Sequence, residues 1–157
     1  FNGAGEILLQ KRSMQKDRHP GEWDSSASGH VDAGETYGSA ARRELREELG
    51  IGVGAADLAE IGRIEAGDET EQEFVRVYRL VSEGPFSPDP AEISEIRFES
   101  PAAVGSWIAR AAREFSPSFL TIWKRYGGAG PARAGPARGT RRNADSSAGS
   151  SPFRWRR

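Results

Sequence analysis

The sequence predicts one α/β domain built around a central mixed β-sheet, because strand-like and helix-like segments alternate along it. A strand, a polar loop, a helix, further strands and a second helix follow one another before residue 127. The 157 residues are enough to bury a hydrophobic core, and 36% hydrophobic and 29% charged residues are ordinary proportions for a globular protein.

The first half of the chain predicts a strand, a loop and a helix. The segment EILLQKR (6–12) alternates imperfectly between apolar and polar residues and predicts the strand. A polar loop with a His-Pro-Gly turn (13–24) and a small, polar segment (25–32) follow it. Residues 36–49 are rich in Ala, Arg, Glu and Leu and predict a helix, which ends where Gly50 suits a C-cap.

The second half predicts three strands and two helical segments. The strand pattern is strongest in EFVRVYRLV, and a turn-rich loop, GPFSPDP, precedes the last strand. Apolar residues of the helical segments, such as Trp107 and Phe119, are expected in the core. The predicted strands are 58–65, 73–81 and 92–99, and the helical segments are 101–115 and 118–126.

The composition changes at Gly127, which divides a domain (1–126) from a tail (127–157). The tail is dominated by Gly, Ala, Pro, Ser and Arg, with seven arginines against one acid, and we expect it to be disordered. We assign it no specific nucleic-acid partner. Because the chain begins at Phe1 rather than at methionine, we also expect that an N-terminal strand is missing from the domain.

Several classes of site are excluded by composition. The chain has no cysteine, which rules out disulfides, zinc–thiolate sites, iron–sulfur clusters and thiol nucleophiles. No apolar run approaches the roughly 18 residues of a membrane span, and no secretory signal pattern is present. We therefore expect a cytoplasmic protein without a membrane partner.

The segment RRELREELG brings three carboxylates together on the predicted helix. At about 100° per residue, Glu44, Glu47 and Glu48 span only about 100° of the helix circumference. They lie beside the apolar stripe that contains Leu45 and Leu49, at the edge of the buried face. Glu44 and Glu48 repel one another as an i,i+4 pair, and clustered hard oxygen ligands suit Mg²⁺ or Mn²⁺ and hence phosphate substrates. Taken alone, however, this helix favours a solvated charged face over a cation site.

The residues before this segment complete a longer pattern. The run GHVDAGETYGSAARRELREELGI has Gly29, Glu35, the triplet Arg-Glu-Leu and a Glu-Glu pair at spacings that resemble the signature of the Nudix hydrolase family. The resemblance implies an α/β/α sandwich in which a loop–helix–loop packs on a mixed sheet. It also implies hydrolysis of a diphosphate linkage in a nucleoside diphosphate linked to another group.

The same resemblance implies roles for individual residues. Glu35 and Arg43 would brace the loop–helix–loop, and Gly34 and Gly50 would allow its tight backbone. Glu47 is our first choice for the general base, with Glu71 as an alternative. The implied ligands of Mg²⁺ or Mn²⁺ are Glu44, which we also count as catalytic, Glu47, Glu48, the carbonyl of Gly29, and Glu73, which is also an alternative base.

The flanking segments resemble the branch of this family that includes isopentenyl-diphosphate isomerase. The shared features are HPG and Trp before the signature and an E-x-E strand start after it. The isomerase requires a cysteine where this chain has Ser28, and its signature is degenerate whereas this one is intact. We therefore expect a hydrolase; an isomerase-like enzyme and a catalytically silent nucleotide-binding module are the alternatives.

Four residues near the expected pocket are candidate substrate contacts. Arg12 and Lys16 would bind phosphate, although surface cations are equally common. Trp23 would stack on a base or an isoprenoid, or else pack on the sheet, and His30 is either a substrate contact or a hydrogen-bonding loop residue. The expected partner is a small-molecule diphosphate, with a homodimer left open.

Overall fold

The described residues of the domain form five strands and three α-helices. A computed structural model describes residues 1–70 and 72–127, so Glu71 and the predicted tail beyond Gly127 lie outside the described residues. The strands are β1 (Ile7–Arg12), β2 (Trp23–Asp24), β3 (Ala59–Ile64), β4 (Val75–Arg79) and β5 (Ile93–Glu99). The helices are α1 (Tyr37–Leu49), α2 (Pro101–Ala111) and α3 (Pro117–Tyr126).

The strands form two sheets. β1 lies at the centre of a three-stranded sheet, antiparallel to β5 over its whole length and to β2 at Gln10 and Lys11. β3 and β4 form a separate antiparallel pair. Among the described residues, the parallel pairing that a mixed sheet requires is confined to an isolated bridge between Trp23 and Phe115. The predicted α/β class is confirmed, with antiparallel strand pairs.

Two hydrophobic clusters join the three-stranded sheet to the helices on its two faces. The alternation of β1 directs Leu8 and Leu9 to opposite faces of the sheet. Leu8 packs with Leu45 and Leu49 of α1, whereas Leu9 packs in a cluster with residues of α2 and α3, including Phe119. The three-stranded sheet is therefore enclosed by α1 on one face and by α2 and α3 on the other, which is an α/β/α arrangement.

Helix α1 has the ends that the sequence predicts. Thr36 caps its first turn by accepting the backbone N–H of Ser39, and the Ser39 hydroxyl accepts the N–H of Thr36 in return. Gly50 ends the helix in the left-handed conformation at φ 70°. A residue with a Cβ would be strained at this φ, which accounts for the glycine.

The loop before β5 completes the C-terminal end of α1. The last carbonyls of a helix have no partner within the helix. Here the carbonyl of Glu48 accepts the N–H of Asp89, and the carbonyl of Leu49 accepts the N–H of Ser87, at 3.0 and 2.9 Å. The loop predicted at 84–90 is thus a structural cap.

Several predicted boundaries differ from those observed: β2 lies within the predicted loop 13–24, and β3 and β4 are shorter than the strands predicted over 58–65 and 73–81. The helix expected over 101–115 ends at Ala111, and a 3₁₀ turn (Ala112–Glu114) leads to the buried Phe115. Ser116 then caps α3, whose first residue, Pro117, suits this position because its missing N–H would have no partner there. Among the described residues, no helix has the length and apolar character needed to cross a bilayer.

Candidate active site

Helix α1 places its three glutamates at different depths. Glu48 is 5% exposed, whereas the side chains of Glu44 and Glu47 are 16% and 53% exposed. The gradient follows from the helix period, because the face that buries Leu45 and Leu49 turns Glu48 toward the sheet and Glu47 toward solvent. The sequence places the three carboxylates together at the edge of the buried face. In the structure they lie in three different environments.

Glu48 is held by β1 and by the segment before α1. Its Oε2 atom accepts a hydrogen bond from Nε2 of Gln10 at 3.1 Å and from the N–H of Ser28 at 3.3 Å. Burial raises the pKa of Glu48 to about 7, and the nearby carboxylate of Glu44 adds to the effect, although the bond from Ser28 opposes it. The site thus contains a carboxylate that lacks a compensating positive charge.

Gly29 lies directly against the carboxylate of Glu44. A Cβ atom added at Gly29 would lie 1.9 Å from Oε1 of Glu44, which is far inside van der Waals contact. The glycine is explained by this close approach. No side chain is compatible with both the backbone of Gly29 and the observed position of Glu44.

Arg43 connects the loop to the helix. Its Nε and Nη2 atoms donate to the two carboxylate oxygens of Glu35 at 3.1 and 3.0 Å, a bidentate pair. Nη2 also donates to the carbonyl of His30 at 2.9 Å. Nη1 donates to Glu44 at 2.7 Å and to Glu47 at 3.1 Å. The bonds from Arg43 hold the pKa of Glu35 below its usual range.

Glu73 approaches the same loop from the segment before β4. Its Oε1 atom lies 3.1 Å from Nε2 of His30, and the side chains of Glu73 and His30 are 50% and 79% exposed. This contact places Glu73 beside His30, and the ligand role expected of Glu73 stays a prediction. Glu71, the other acidic residue considered there, is outside the described residues.

A cavity of about 560 Å³ extends from this region between the two sheets. Its walls are largely apolar and include residues of β1, β4 and β5, such as Leu8 and Val77. Four of the predicted site residues line it, namely Gly29, His30, Glu44 and Glu73.

The other predicted substrate contacts lie elsewhere. Arg12 donates to the carbonyl of Arg18 and pairs with Asp24 at 3.5 Å, and Lys16 is paired with Glu92. Trp23 is buried at 5% exposure with its ring 5.2 Å from that of Trp107. The stacking role considered for Trp23 is not supported by this structure, because both residues of β2 are buried and the ring packs in the cluster that contains Phe119.

Sequence reasoning missed two features of the site. The first is Gln10, whose position two residues after Leu8 in an alternating strand is a signal for burial on the α1 face. The second is a cation–π contact in which the guanidinium of Arg76 lies 5.0 Å from the ring centroid of Tyr37, with both residues lining the cavity. No local pattern joins Tyr37 to Arg76, which are 39 positions apart.

The donor set fits a hard divalent cation. Two carboxylates, Glu44 and Glu47, converge on one cationic nitrogen of Arg43, and Glu48 is buried beside them with a raised pKa. Carboxylate and carbonyl oxygens are the ligands that Mg²⁺ and Mn²⁺ prefer. Within residues 1–70 and 72–127, however, no group of three or more acidic or histidine side chains is arranged so that it could hold a metal ion.

Comparison with known proteins agrees with this architecture. A family model described as the NUDIX domain matches residues 1–120. The chain is 39% identical over 125 residues to an uncharacterized Nudix hydrolase of Yersinia pestis. The matched region covers 78% of this chain and 65% of that relative. It is also 36% identical over 128 residues to an isopentenyl-diphosphate Delta-isomerase of Nocardia farcinica. This match covers 78% of this chain and 71% of the isomerase.

A solved structure shares the fold. The crystal structure of a protein from Deinococcus radiodurans superposes with a TM-score of 0.68 and 29% identity, covering 80% of this chain and 77% of that protein. Hydrolase and isomerase relatives together confirm the predicted branch, and the solved structure confirms the predicted sandwich. The chain therefore belongs to the NUDIX domain family.

Proposed function

We propose that the protein is a divalent-metal-dependent hydrolase that cleaves a diphosphate linkage in a nucleoside-diphosphate-linked or related organic diphosphate. The observation that carries the proposal is the convergence of Glu44 and Glu47 on one nitrogen of Arg43, with the buried Glu48 beside them. The like charges of this cluster repel one another and are offset by Arg43, whereas a phosphate-binding cation would use the same carboxylates as ligands.

The residues that would hold Mg²⁺ or Mn²⁺ come from α1 and the segments beside it. A divalent cation bound here neutralises phosphate charge and makes water a better nucleophile. The raised pKa of Glu48 favours this assignment, because a cation replaces the proton that burial otherwise retains. The ligands would be Glu44, Glu47, Glu48 and the carbonyl of Gly29, with Glu73 as a further donor on the exposed side.

The protein's own part in the reaction is to position the diphosphate and to accept a proton. Glu47 is assigned as the general base because its side chain is the most exposed of the three glutamates and is therefore open to water. A water oxygen forms a bond to one phosphorus atom as its proton passes to Glu47. The anhydride P–O bond on the opposite side of that phosphorus breaks, and the leaving group departs as a phosphate monoester.

A product-release screen tests the proposal. Nucleotide sugars and dinucleotide cofactors, which have no terminal phosphate, are incubated with Mg²⁺ or Mn²⁺, and a phosphomonoesterase then converts new phosphate monoesters to inorganic phosphate. For nucleoside di- and triphosphates and prenyl diphosphates, the products are separated and identified directly. Water enriched in ¹⁸O should label one product at phosphorus. Wild-type protein should turn over at least one compound class, and Glu47→Gln and Glu48→Gln should lose this turnover.

Three other results would contradict the proposal. Variants that match wild type would remove Glu47 and Glu48 from the mechanism. Metal-dependent nucleotide binding without turnover would indicate a silent binding module. Formation of dimethylallyl diphosphate from isopentenyl diphosphate would indicate an isomerase, the activity named for the Nocardia relative. The isomerase is disfavoured here, because the chain has no cysteine and has Ser28 at the corresponding position.

A further inference from the structure

Strand β1 carries one buried polar side chain on the face that packs against α1. Gln10 is 2% exposed, and it lies on the same face as Leu8, which packs against Leu45 and Leu49. Burying a primary amide is unfavourable unless it is hydrogen-bonded. An apolar residue at this position would have extended the hydrophobic cluster, so the amide calls for a specific explanation.

The amide of Gln10 is bonded to a proposed cation ligand. Its Nε2 atom donates to Oε2 of Glu48 at 3.1 Å, and the N–H of Ser28 donates to the same oxygen at 3.3 Å. Two donors from different segments thus hold a single carboxylate oxygen of Glu48. The other oxygen, Oε1, takes no part in these two bonds.

We propose that Gln10 is a positioning residue for the cation site, which acts by fixing the carboxylate of Glu48. The inference rests on the function proposed above. Gln10 does not contact the substrate or the cation; its bond to Oε2 fixes the rotation of the carboxylate and directs Oε1 to the cation. Hydrogen-bonding partners of this kind orient the ligands in many metal sites, and their loss typically weakens metal affinity about 10- to 100-fold.

The test compares two substitutions of similar volume at Gln10. Gln10→Met removes the donor and keeps the packing, whereas Gln10→His keeps an N–H donor at about the same distance from the backbone. Affinity for Mn²⁺ is measured by titration calorimetry and by electron paramagnetic resonance of free Mn²⁺. Gln10→Met should weaken binding about 10- to 100-fold, and Gln10→His should recover most of the loss.

The matched control is Leu9→Met on the opposite face of β1. Leu9 is fully buried in the cluster with Phe119 and is away from Glu48, so this substitution should leave Mn²⁺ affinity unchanged. In the Glu48→Gln background, Gln10→Met should have no further effect, because Gln10 acts through Glu48. For the substrate found in the screen, Gln10→Met should lower kcat more than it raises KM at saturating Mn²⁺.

Several outcomes would overturn the inference. Wild-type Mn²⁺ affinity in Gln10→Met excludes a positioning role, and equal losses in Gln10→Met and Gln10→His indicate packing alone. If neither variant folds, the side-chain amide resonance of Gln10 is followed in wild-type protein; it should shift on addition of Mg²⁺, and an unchanged resonance overturns the inference. If wild-type protein binds neither Mn²⁺ nor Mg²⁺, both the role of Gln10 and the proposed function fail. If wild-type protein binds the cation and Gln10→Met binds it equally well, only the role of Gln10 fails.

Discussion

The two sides of the candidate site are built differently. The buried side consists of Glu48 and Gln10, and the backbone N–H of the exposed Ser28 adds a partly buried hydrogen bond from another segment. The exposed side consists of Glu47, Glu73 and His30, whose side chains are at least half exposed. The difference indicates that the core sets the position of Glu48, whereas the groups proposed to exchange protons or to contact substrate are open to water.

Arg43 joins the two sides. It binds Glu44, which lies between them in depth, and Glu47 on the exposed side, and it also fixes the loop through Glu35. An arginine that serves several carboxylates keeps them close before a cation arrives, because it offsets their mutual repulsion. Substitutions of the glutamates of α1 should therefore have large effects, and substitution of the exposed loop residue His30 should have a smaller one.

The largest effect is expected for Glu48→Gln. Loss of this carboxylate should lower turnover at least about a hundredfold, because several kcal/mol of charge stabilisation in the transition state depend on the bound cation. Turnover and Mn²⁺ affinity are measured together. A variant with near-normal Mn²⁺ affinity would contradict the idea that the buried side sets the site.

The stability of the metal-free protein should depend on pH through the same residue. In the window between the usual pKa of 4.5 and about 7, the unfolded chain has released the Glu48 proton while the folded protein retains it. The free energy of unfolding should therefore fall as pH rises through this window, by at most roughly 3 kcal/mol.

Urea unfolding at pH 4.5 and pH 7.5 in the presence of a chelator measures this dependence. Glu48→Gln should abolish it, whereas Glu95→Gln, at an exposed carboxylate of β5, should retain it. Excess Mg²⁺ should reduce the slope, since the cation stabilises the ionised carboxylate. If the free energy of unfolding still fell with pH in Glu48→Gln, another titratable group would be responsible for the pH dependence.

Arg43→Lys tests the connection between the two sides. Lysine keeps the charge but cannot form the bidentate pair with Glu35 while also reaching Glu44 and Glu47. Mn²⁺ affinity and turnover should each fall about 10- to 100-fold. Arg46→Lys, at an exposed position of the same helix, is the matched control and should have no effect.

Gly29→Ala should have a moderate effect. The added methyl group would displace Glu44, which we expect to weaken Mn²⁺ binding about tenfold without loss of the fold. Gly52→Ala is the control, because a Cβ added at Gly52 would have no atom within 4 Å and the φ there is not positive. If both variants behave alike, the close approach at Gly29 is unimportant.

The smallest effect is expected for His30→Ala on the exposed side. Contacts between exposed groups contribute at most about 1 kcal/mol, so turnover should fall less than about fivefold. His19→Asn, at the chain's other histidine, should leave turnover unchanged. A hundredfold loss in His30→Ala would make the exposed side as important as the buried one.

Local sequence patterns predicted the parts of the fold that depend on local interactions. The helix over Thr36–Leu49 follows from its composition and its Gly50 cap, and the strand around Leu8 follows from alternation. The family follows from the spacing between Gly29 and Glu48. These features are determined by residues within a few turns of one another, so a single sequence contains them.

Contacts between distant segments could not be predicted in the same way. The spacing of the glutamates does not reveal that Glu48 is buried against Gln10, because this depends on how α1 crosses β1. Trp23 is a second example. From the sequence, an aromatic residue near a functional loop is equally consistent with a substrate contact and with a place in the core. Only the packing around Trp107 decides between them.

The cap that the loop before β5 provides for α1 limits how this region can change in length. Surface loops usually tolerate insertions, because the ends of the chain they join stay in place. Here Ser87 and Asp89 bond the carbonyls of Leu49 and Glu48, and Pro88 between them has no N–H to offer. An insertion at Pro88 would change the spacing between Ser87 and Asp89, so that both could no longer bond the end of α1. One of the two bonds is to the carbonyl of Glu48, whose side chain is proposed to bind the cation. A designer who wishes to lengthen a loop of this domain should leave this one intact.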